Sequence, residues 1–413
     1  MMTLAQKLVA RAAGRSSVTP GEIVTCKVDL AMMHDSGGPR RVKPMLERLG
    51  AKVWDPSKVV VITDHYVPTY DDESRKIIRI ARDWVREAGI DNFHDEQGIC
   101  HVVLPERGHL RPGMFAVGGD SHSPTGGAFA AYMFGIGATE MLGVLVTGEI
   151  WLKVPHTIAM DFDGRLQPGV SAKDIMLFLI GKFGLDGGQY QAVEYRGAAI
   201  RALPMQERMT LCNMTAELGG QTGLIASDAV TQEFLGRKIE TWKSDDGAAV
   251  LAHHRFHASD LGPQVAGPHS PANTRPVDQF ENVKPTVAYI GACTGAKLVD
   301  LRMAASVLKG RKARIRLMVA PASARDVKAA RDEGTMKVLE DAGAEFLGLG
   351  CGICAGYGGS NVLGENVVAI SSTARNFRGR MGAASSQVYL ASPYTVAATA
   401  VTGHVSDPRK MLR

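Results

Sequence analysis

The residues with the greatest chemical reach in this chain are three cysteines in two places: Cys293 in Gly291-Ala292-Cys293-Thr294-Gly295, and Cys351 with Cys354 in Gly350-Cys351-Gly352-Ile353-Cys354. Each group follows a short apolar run that reads as a buried strand, and the turn after a strand is where α/β folds place their chemistry. Three thiolates with no fourth cysteine nearby suit an iron-sulfur cluster whose last iron stays free to act as a Lewis acid. An electron carrier would want four. The Cys-x-x-Cys pair alone leaves a zinc half-site and a redox dithiol open. Zinc would need a further pair at similar spacing, and a dithiol would not require Cys293. The remaining Cys26, Cys100 and Cys212 lie in apolar contexts and read as small core residues.

Four polar constellations accompany the cysteines. Asp64-His65 directly follows Val59-Val60-Val61-Ile62-Thr63, so a carboxylate at the mouth of a sheet can fix one tautomer of the imidazole and raise its basicity. That histidine could serve as a general acid, although a loop histidine beside a capping aspartate explains the pair equally well. Gly118-Gly119-Asp120-Ser121-His122-Ser123 offers an acid, a hydroxyl and an imidazole on a backbone that a ligand can approach closely. It is not a nucleophile elbow, and it lacks the lysine of a phosphate-binding loop. Asn213 and Glu217 are four apart and so fall on one helical face, where an exposed surface would explain them as well as a site. His101, in Gly98-Ile99-Cys100-His101, is a single signal of the same weight. Arg375 and Arg380 follow a strand ending near Ser371 and suit bidentate capture of carboxylates.

Positioning these groups requires strands alternating with helices. Apolar runs predict strands at 58–63, 114–117, 286–290, 314–319, 345–349 and 367–371, and helical spacing predicts helices over 72–88, 138–152, 296–308 and 323–342. This is an α/β pattern with mostly parallel sheets. The pattern changes after Met160, and 242–285 is rich in Asp, His, Pro and Ser, reading as a long surface connection. The expected division is therefore 1–160 with the Asp64-His65 and Asp120-Ser121-His122 motifs, 161–283 with Asn213 and Glu217, and 284–413 with the cysteines.

With 413 residues, 45% of them hydrophobic and 22% charged, the chain has the composition of a globular protein of two or three domains. A net charge of +5 is too mild to claim nucleic acid as a partner and is equally compatible with an anionic substrate. No apolar run reaches the length of a bilayer, and residues 1–17 lack the hydrophobic stretch of a secretory signal. Lys7, Arg11 and Arg15 without an acid leave a transit peptide conceivable beside an amphipathic helix ended by Gly14. The expectation is a cytoplasmic enzyme with no membrane partner.

Taken together, His34-Asp35, Asp64-His65, Gly98-Ile99-Cys100-His101, Gly119-Asp120-Ser121-His122, Asn213-Met214 with Glu217, Pro268-His269-Ser270-Pro271, Cys293-Thr294, Cys351-Gly352-Ile353-Cys354 and Arg375-Asn376-Phe377 with Gly379-Arg380 resemble the aconitase superfamily in the same order over nearly the whole chain. The resemblance is greatest to the large subunits of 3-isopropylmalate dehydratase and homoaconitase. It implies three α/β domains around a 4Fe-4S cluster on Cys293, Cys351 and Cys354. It also implies a hydro-lyase that dehydrates or isomerises a hydroxy di- or tricarboxylic acid, as in amino-acid biosynthesis. By position, His65 paired with Asp64 would protonate the leaving hydroxyl. His101, Asp120, His122 and Glu217 would support the acid-base chemistry, and Ser121, Arg375 and Arg380 would hold substrate carboxylates. In single-chain aconitases the base, a serine, lies in a swivelling C-terminal domain; the expectation is that this chain lacks that domain and works with a separate small subunit.

The resemblance has departures. Where Cys-Thr-Asn followed by a small residue and Arg is usual, this chain has Cys293-Thr294-Gly295-Ala296-Lys297, and Ala374 precedes Arg375 where an asparagine is usual. Two amides that normally hydrogen-bond around the cluster and substrate are thus replaced. Pro39 stands where aconitase uses a substrate-binding glutamine, which weakens the case for citrate. A homoaconitase or a dimethylmalate-type dehydratase is the alternative within this class. A cluster-free RNA-binding regulator is the alternative from another class, disfavoured by the modest charge.

Overall fold

In the computed structural model, which describes residues 1–412, three sheets carry the molecule, with a two-stranded ribbon beside them. The first sheet has five parallel strands in the order Phe93–Asp95, Val59–Thr63, Leu30–His34, Phe115–Gly118, Tyr132–Gly135. Val59–Thr63 and Leu30–His34 are buried at every position, as strands covered on both faces must be. The chain runs outward from Leu30–His34 in one direction and then returns to fill the other, which creates a topological switch point beside that strand.

A second parallel sheet contains Thr222–Leu224, Ala192–Arg196, Thr157–Asp163 and Ala252–His257. The third has seven strands, with Val287–Ile290 between Val368–Ser371 and Arg316–Val319, all parallel to one another. It has its own switch point between Val287–Ile290 and Val368–Ser371, where the chain again runs outward both ways. One core cluster runs through all three sheets and includes Met32, Ile62, Tyr195, Tyr289, Cys293 and Cys351.

Several elements differ from the sequence-based expectation. The helix expected over 138–152 stops at Thr147, because Gly148 takes φ +71°. Glu149–Lys153 continues as a strand paired antiparallel with Ile23–Lys27. The helix expected over 323–342 is split into Ala324–Asp332 and Thr335–Asp341 by Gly334 at φ +86°. The stretch 242–285 is not merely a surface connection. It supplies Ala252–His257 to the second sheet, Gln264–Ala266 extends the third antiparallel to Gln387–Ala391, and Thr274–Pro276 pairs antiparallel with Gln264–Ala266 at its edge. The helix Asp72–Ala88 keeps its expected bounds, with an Asp71 capping box at one end and Gly89 in the left-handed region at the other. Residues 4–12 form the N-terminal helix, and Gly14 beyond it has φ +66°. Cys26, Cys100 and Cys212 are fully buried among apolar side chains. No helix among the described residues is long and apolar enough to cross a membrane.

Candidate active site

Residues beyond the carboxyl ends of strands in the first and third sheets meet each other. Asp64 and His65 leave Val59–Thr63. The backbone N–H of Cys351, from the third-sheet side, donates to the Asp64 carbonyl at 2.7 Å. That approach demands glycine at 350: its φ is +132°, and a Cβ there would lie 2.5 Å from the Asp64 carbonyl oxygen.

On the first-sheet side the polar groups hold one another. Asp64 is fully buried; Oδ1 meets His65 Nδ1 at 2.6 Å and Oδ2 accepts the Cys100 N–H at 2.7 Å. Asp35 accepts the N–H groups of Asp64, His65 and Tyr66 at 2.9, 3.1 and 2.6 Å, which fixes the turn itself. His34 stacks on His65 with centroids 4.1 Å apart. Its Nε2 faces the Gly119 carbonyl at 3.1 Å and its Nδ1 faces the Ser36 N–H at 3.2 Å. A carbonyl can only accept and an N–H can only donate, so those partners assign His34 a neutral tautomer protonated on Nε2. Burial and the neighbouring His65 lower the His34 pKa in agreement. Burial also opposes charge on His65, but the Cys351 sulfur and the Asp64 carboxylate override it and hold the imidazole well above its ordinary value. Asp64, although desolvated, is held below the usual carboxylate range by His65 and the Cys100 N–H.

Next to this pair, Asp120 Oδ1 accepts from His101 Nε2 and from the His122 N–H, each at 2.7 Å. His122 Nε2 lies 2.9 Å from Glu217 Oε1, which Arg375 Nε also reaches at 2.6 Å. Burial would raise Glu217, but His122 and Arg375 bring it down to about 2. Asn213 ends the helix Met205–Met214, and its Nδ2 lies 3.2 Å from Cys293 Sγ. Glu217 is not on that helix as its spacing suggested. It lies in the turns that follow, brought to the site by chain reversal. Ser121 is exposed on the same loop, and Arg380 has no carboxylate partner among the described residues.

A model of the aconitase family (aconitate hydratase) matches residues 6–403. The chain belongs to the aconitase family. It is 42% identical to the 3-isopropylmalate dehydratase large subunit 1 of Methanopyrus kandleri, over 99% of each chain. It is 44% identical to a probable methanogen homoaconitase large subunit of Methanosarcina mazei, over 93% of this chain and 99% of that one. The fold is also similar to aconitase X of Thermococcus kodakaraensis, with TM-score 0.53 and 13% identity over 87% of each chain.

Aconitase-family enzymes generally use a 4Fe-4S cluster, and the donor set here fits one. Cys293, Cys351 and Cys354 are free thiols, 6%, 8% and 6% exposed. Burial drives the Cys293 thiol well above its ordinary value, and the charges of Cys351 and Cys354 push the same way. Cys351 is pushed up to about 12, chiefly by burial. Sulfurs that oppose one another's ionisation in this way call for a cation among them. Around them Asn213 Oδ1, Glu217 Oε2, Tyr289 Oη and Arg380 Nε are buried with no partner, as a site awaiting further ligands would leave them.

Of the departures from the family pattern, Gly295 has a local cause. A Cβ there would collide with the Ser372 side chain and carbonyl. Ser372 Oγ instead bonds the Gly291 N–H at 3.0 Å and sits 3.2 Å from the Gly291 and Gly295 carbonyls. Lys297, in the usual arginine's place, is fully buried; its Nζ reaches the Cys293 carbonyl at 2.8 Å and Asp300 at 2.7 Å.

The sequence names His34-Asp35 without a role and Lys297 only as a departure, and it does not single out Lys173 or Arg40. Strand position was the available signal for the first pair. Arg40 lies over the Tyr66 ring at 5.4 Å, and Tyr66 stacks on Tyr357 at 4.5 Å, at the edge of the cysteine loop.

Proposed function

We propose that this chain is the large subunit of an iron-sulfur hydro-lyase acting on a hydroxy di- or tricarboxylic acid, most like 3-isopropylmalate dehydratase. The observation that carries this reading is the convergence of three buried free thiols on a wall of paired histidines and carboxylates. Cys293, Cys351 and Cys354 would hold the cluster, with Asn213 donating to the Cys293 sulfur. When bound, the cluster would supply a Lewis-acidic iron to weaken the carbon–oxygen bond of the substrate.

The chain's own residues do the rest. Asp64 keeps the His65 proton on Nδ1 and stabilises the imidazolium, leaving Nε2 to give a proton to the departing hydroxyl. Neutral His34, stacked against His65, adds no second positive charge to oppose that proton. Asp120 orients His101, and Glu217 orients His122 and Arg375. Arg380 and Arg375 bind carboxylate, with the Ser121 hydroxyl on the rim. The base that removes the carbon-bound proton would come from a small subunit of the swivelling-domain type, so the substrate lies between two chains. The three sheets support a division near 160 and 284, although Thr157–Asp163 spans the first point and two strands before the second join the third sheet.

Homoaconitase is the second reading, favoured by relatives of that name at 44% and 41% identity. Anaerobic reconstitution with iron and sulfide should give about four irons per chain and the charge-transfer absorption of a 4Fe-4S centre. Stoichiometric zinc with no iron uptake would sink the proposal. With a small subunit present, comparing turnover of isopropylmalate with that of homocitrate separates the two readings.

A further inference from the structure

Lys173 is a buried cation without an anion. It is 1% exposed, on the helix Ala172–Phe183 of the second sheet's layer. Its Nζ reaches the Thr294 hydroxyl at 3.2 Å and the carbonyls of Ser372 and Thr373 at 2.9 and 2.5 Å. All three partners are neutral. An ammonium has three protons, so none is left for another acceptor.

The neighbouring charges do not supply what is missing. Lys297 is matched by Asp300 at 2.7 Å, and Glu217 is already engaged by Arg375 at 2.6 Å and His122 at 2.9 Å. Lys173 Nζ therefore has no carboxylate among its hydrogen-bond partners. Burying an unmatched ammonium is costly, and a protein retains one where a further negative charge arrives.

The place where that charge arrives is marked by the partners themselves. Thr294 follows Cys293, and Ser372-Thr373 opens the turn to Arg375. Burial lowers the Lys173 pKa to about 8, and the charges of Glu217 first and Cys293 next favour its ammonium form. Three cysteine thiolates carry more negative charge than an oxidised 4Fe-4S core carries positive, so the ligated cluster is an anion.

We propose that Lys173 is a positioning residue for the cluster: its fixed charge, set behind the Cys293 turn, balances the anion formed when the three cysteines are metallated. This rests on the cluster reading above. Having no free proton, Lys173 touches neither cluster nor substrate, and it acts through its field and through the turn it holds. The positive field favours cluster retention and the reduced state, which carries one more negative charge.

The test uses the anaerobically reconstituted chain with Lys173→Gln, which keeps a donor and loses the charge, Lys173→Met, which matches the volume, and Lys173→Arg, which keeps the charge. Both neutral variants should release iron to a chelator about ten- to a hundredfold faster than wild type, a usual scale for outer-shell partners of a metal site. Their cluster midpoint potential should move to more negative values, while Lys173→Arg stays near wild type. Circular dichroism checks folding, and Lys173→Met carries the test if the glutamine variant does not fold. A wild-type chain that takes up no iron overturns the cluster reading and this proposal together. A loaded wild type matched by a folded neutral variant in both midpoint and release rate overturns this proposal alone.

Discussion

The two walls of the cleft are finished to different degrees. On the first-sheet wall most groups have their partners: both Asp64 oxygens are used, Asp35 gathers three backbone N–H groups, and both His34 nitrogens are bonded. On the cysteine wall Asn213 Oδ1 and Arg380 Nε lack theirs, and the Lys173 charge meets only neutral partners. A satisfied polar network is rigid, and it can hold a proton-transfer group in place before substrate arrives. A half-satisfied one is costly unless something completes it. On the proposed reading, the acid-base half is built by the chain, whereas the electrophilic and substrate-binding half is completed by what the chain binds.

The largest break in that comparison comes from the incomplete wall. Replacing Cys293, Cys351 or Cys354 with serine should abolish hydratase activity of the complex and lower iron content, because each side chain is one of only three donors. Cys26→Ser, at a fully buried site outside this cleft, should keep both iron and activity once folded. Iron quantitation beside turnover checks the pair of outcomes, and full activity in any of the three cysteine variants would count against the assignment.

The complete wall should fail in a different way. His65→Ala removes the proposed proton donor but none of the thiols, so turnover should fall by about a hundred- to ten-thousandfold with the cluster's absorption retained. Loss of the cluster in parallel with activity would show that the two walls are not separable.

Much of the complete wall was legible in the sequence, because it is made of strand ends. Four apolar residues and a threonine running into Asp64-His65 announce both the strand and where its cargo lies. Asp120-Ser121-His122 is announced in the same way by Phe115–Gly118. What was not legible depends on long-range packing. Glu217 reaches His122 from turns beyond a helix end, so its spacing from Asn213 was a poor guide. Lys173 sits in Ser171-Ala172-Lys173-Asp174, which reads as the polar first turn of a helix, and nothing local says that this turn is buried under the third sheet. The strand Glu149–Lys153 was hidden by helical spacing that continues across Gly148, where a left-handed φ ends the helix.

Glu217 belongs to both walls, so it sharpens the comparison with the smallest effect. Its Oε1 is bonded to His122 and Arg375, and its Oε2 is buried with no partner. In the folded chain the carboxyl is held at about 2, against 4.5 for its ordinary value. A depressed carboxylate stabilises the fold most above its unfolded pKa, and that contribution is lost as pH falls through the folded value. The window is therefore from about 4.5 down to about 2. Glu217→Gln keeps an oxygen for Arg375 and His122 but removes the charge that holds them. It should lower stability by about 1.5–3 kcal/mol near neutral pH, the range for a hydrogen bond to a charged group. The gap between variant and wild type should shrink as the pH is lowered from 4.5 towards 2. Denaturant midpoints of the cluster-free chain at pH 7 and pH 4 measure it. A gap that stayed constant, or widened with acid, would mean that the Glu217 carboxylate is not held by its two cations. The boundary between the finished and unfinished walls would then lie elsewhere than at this residue.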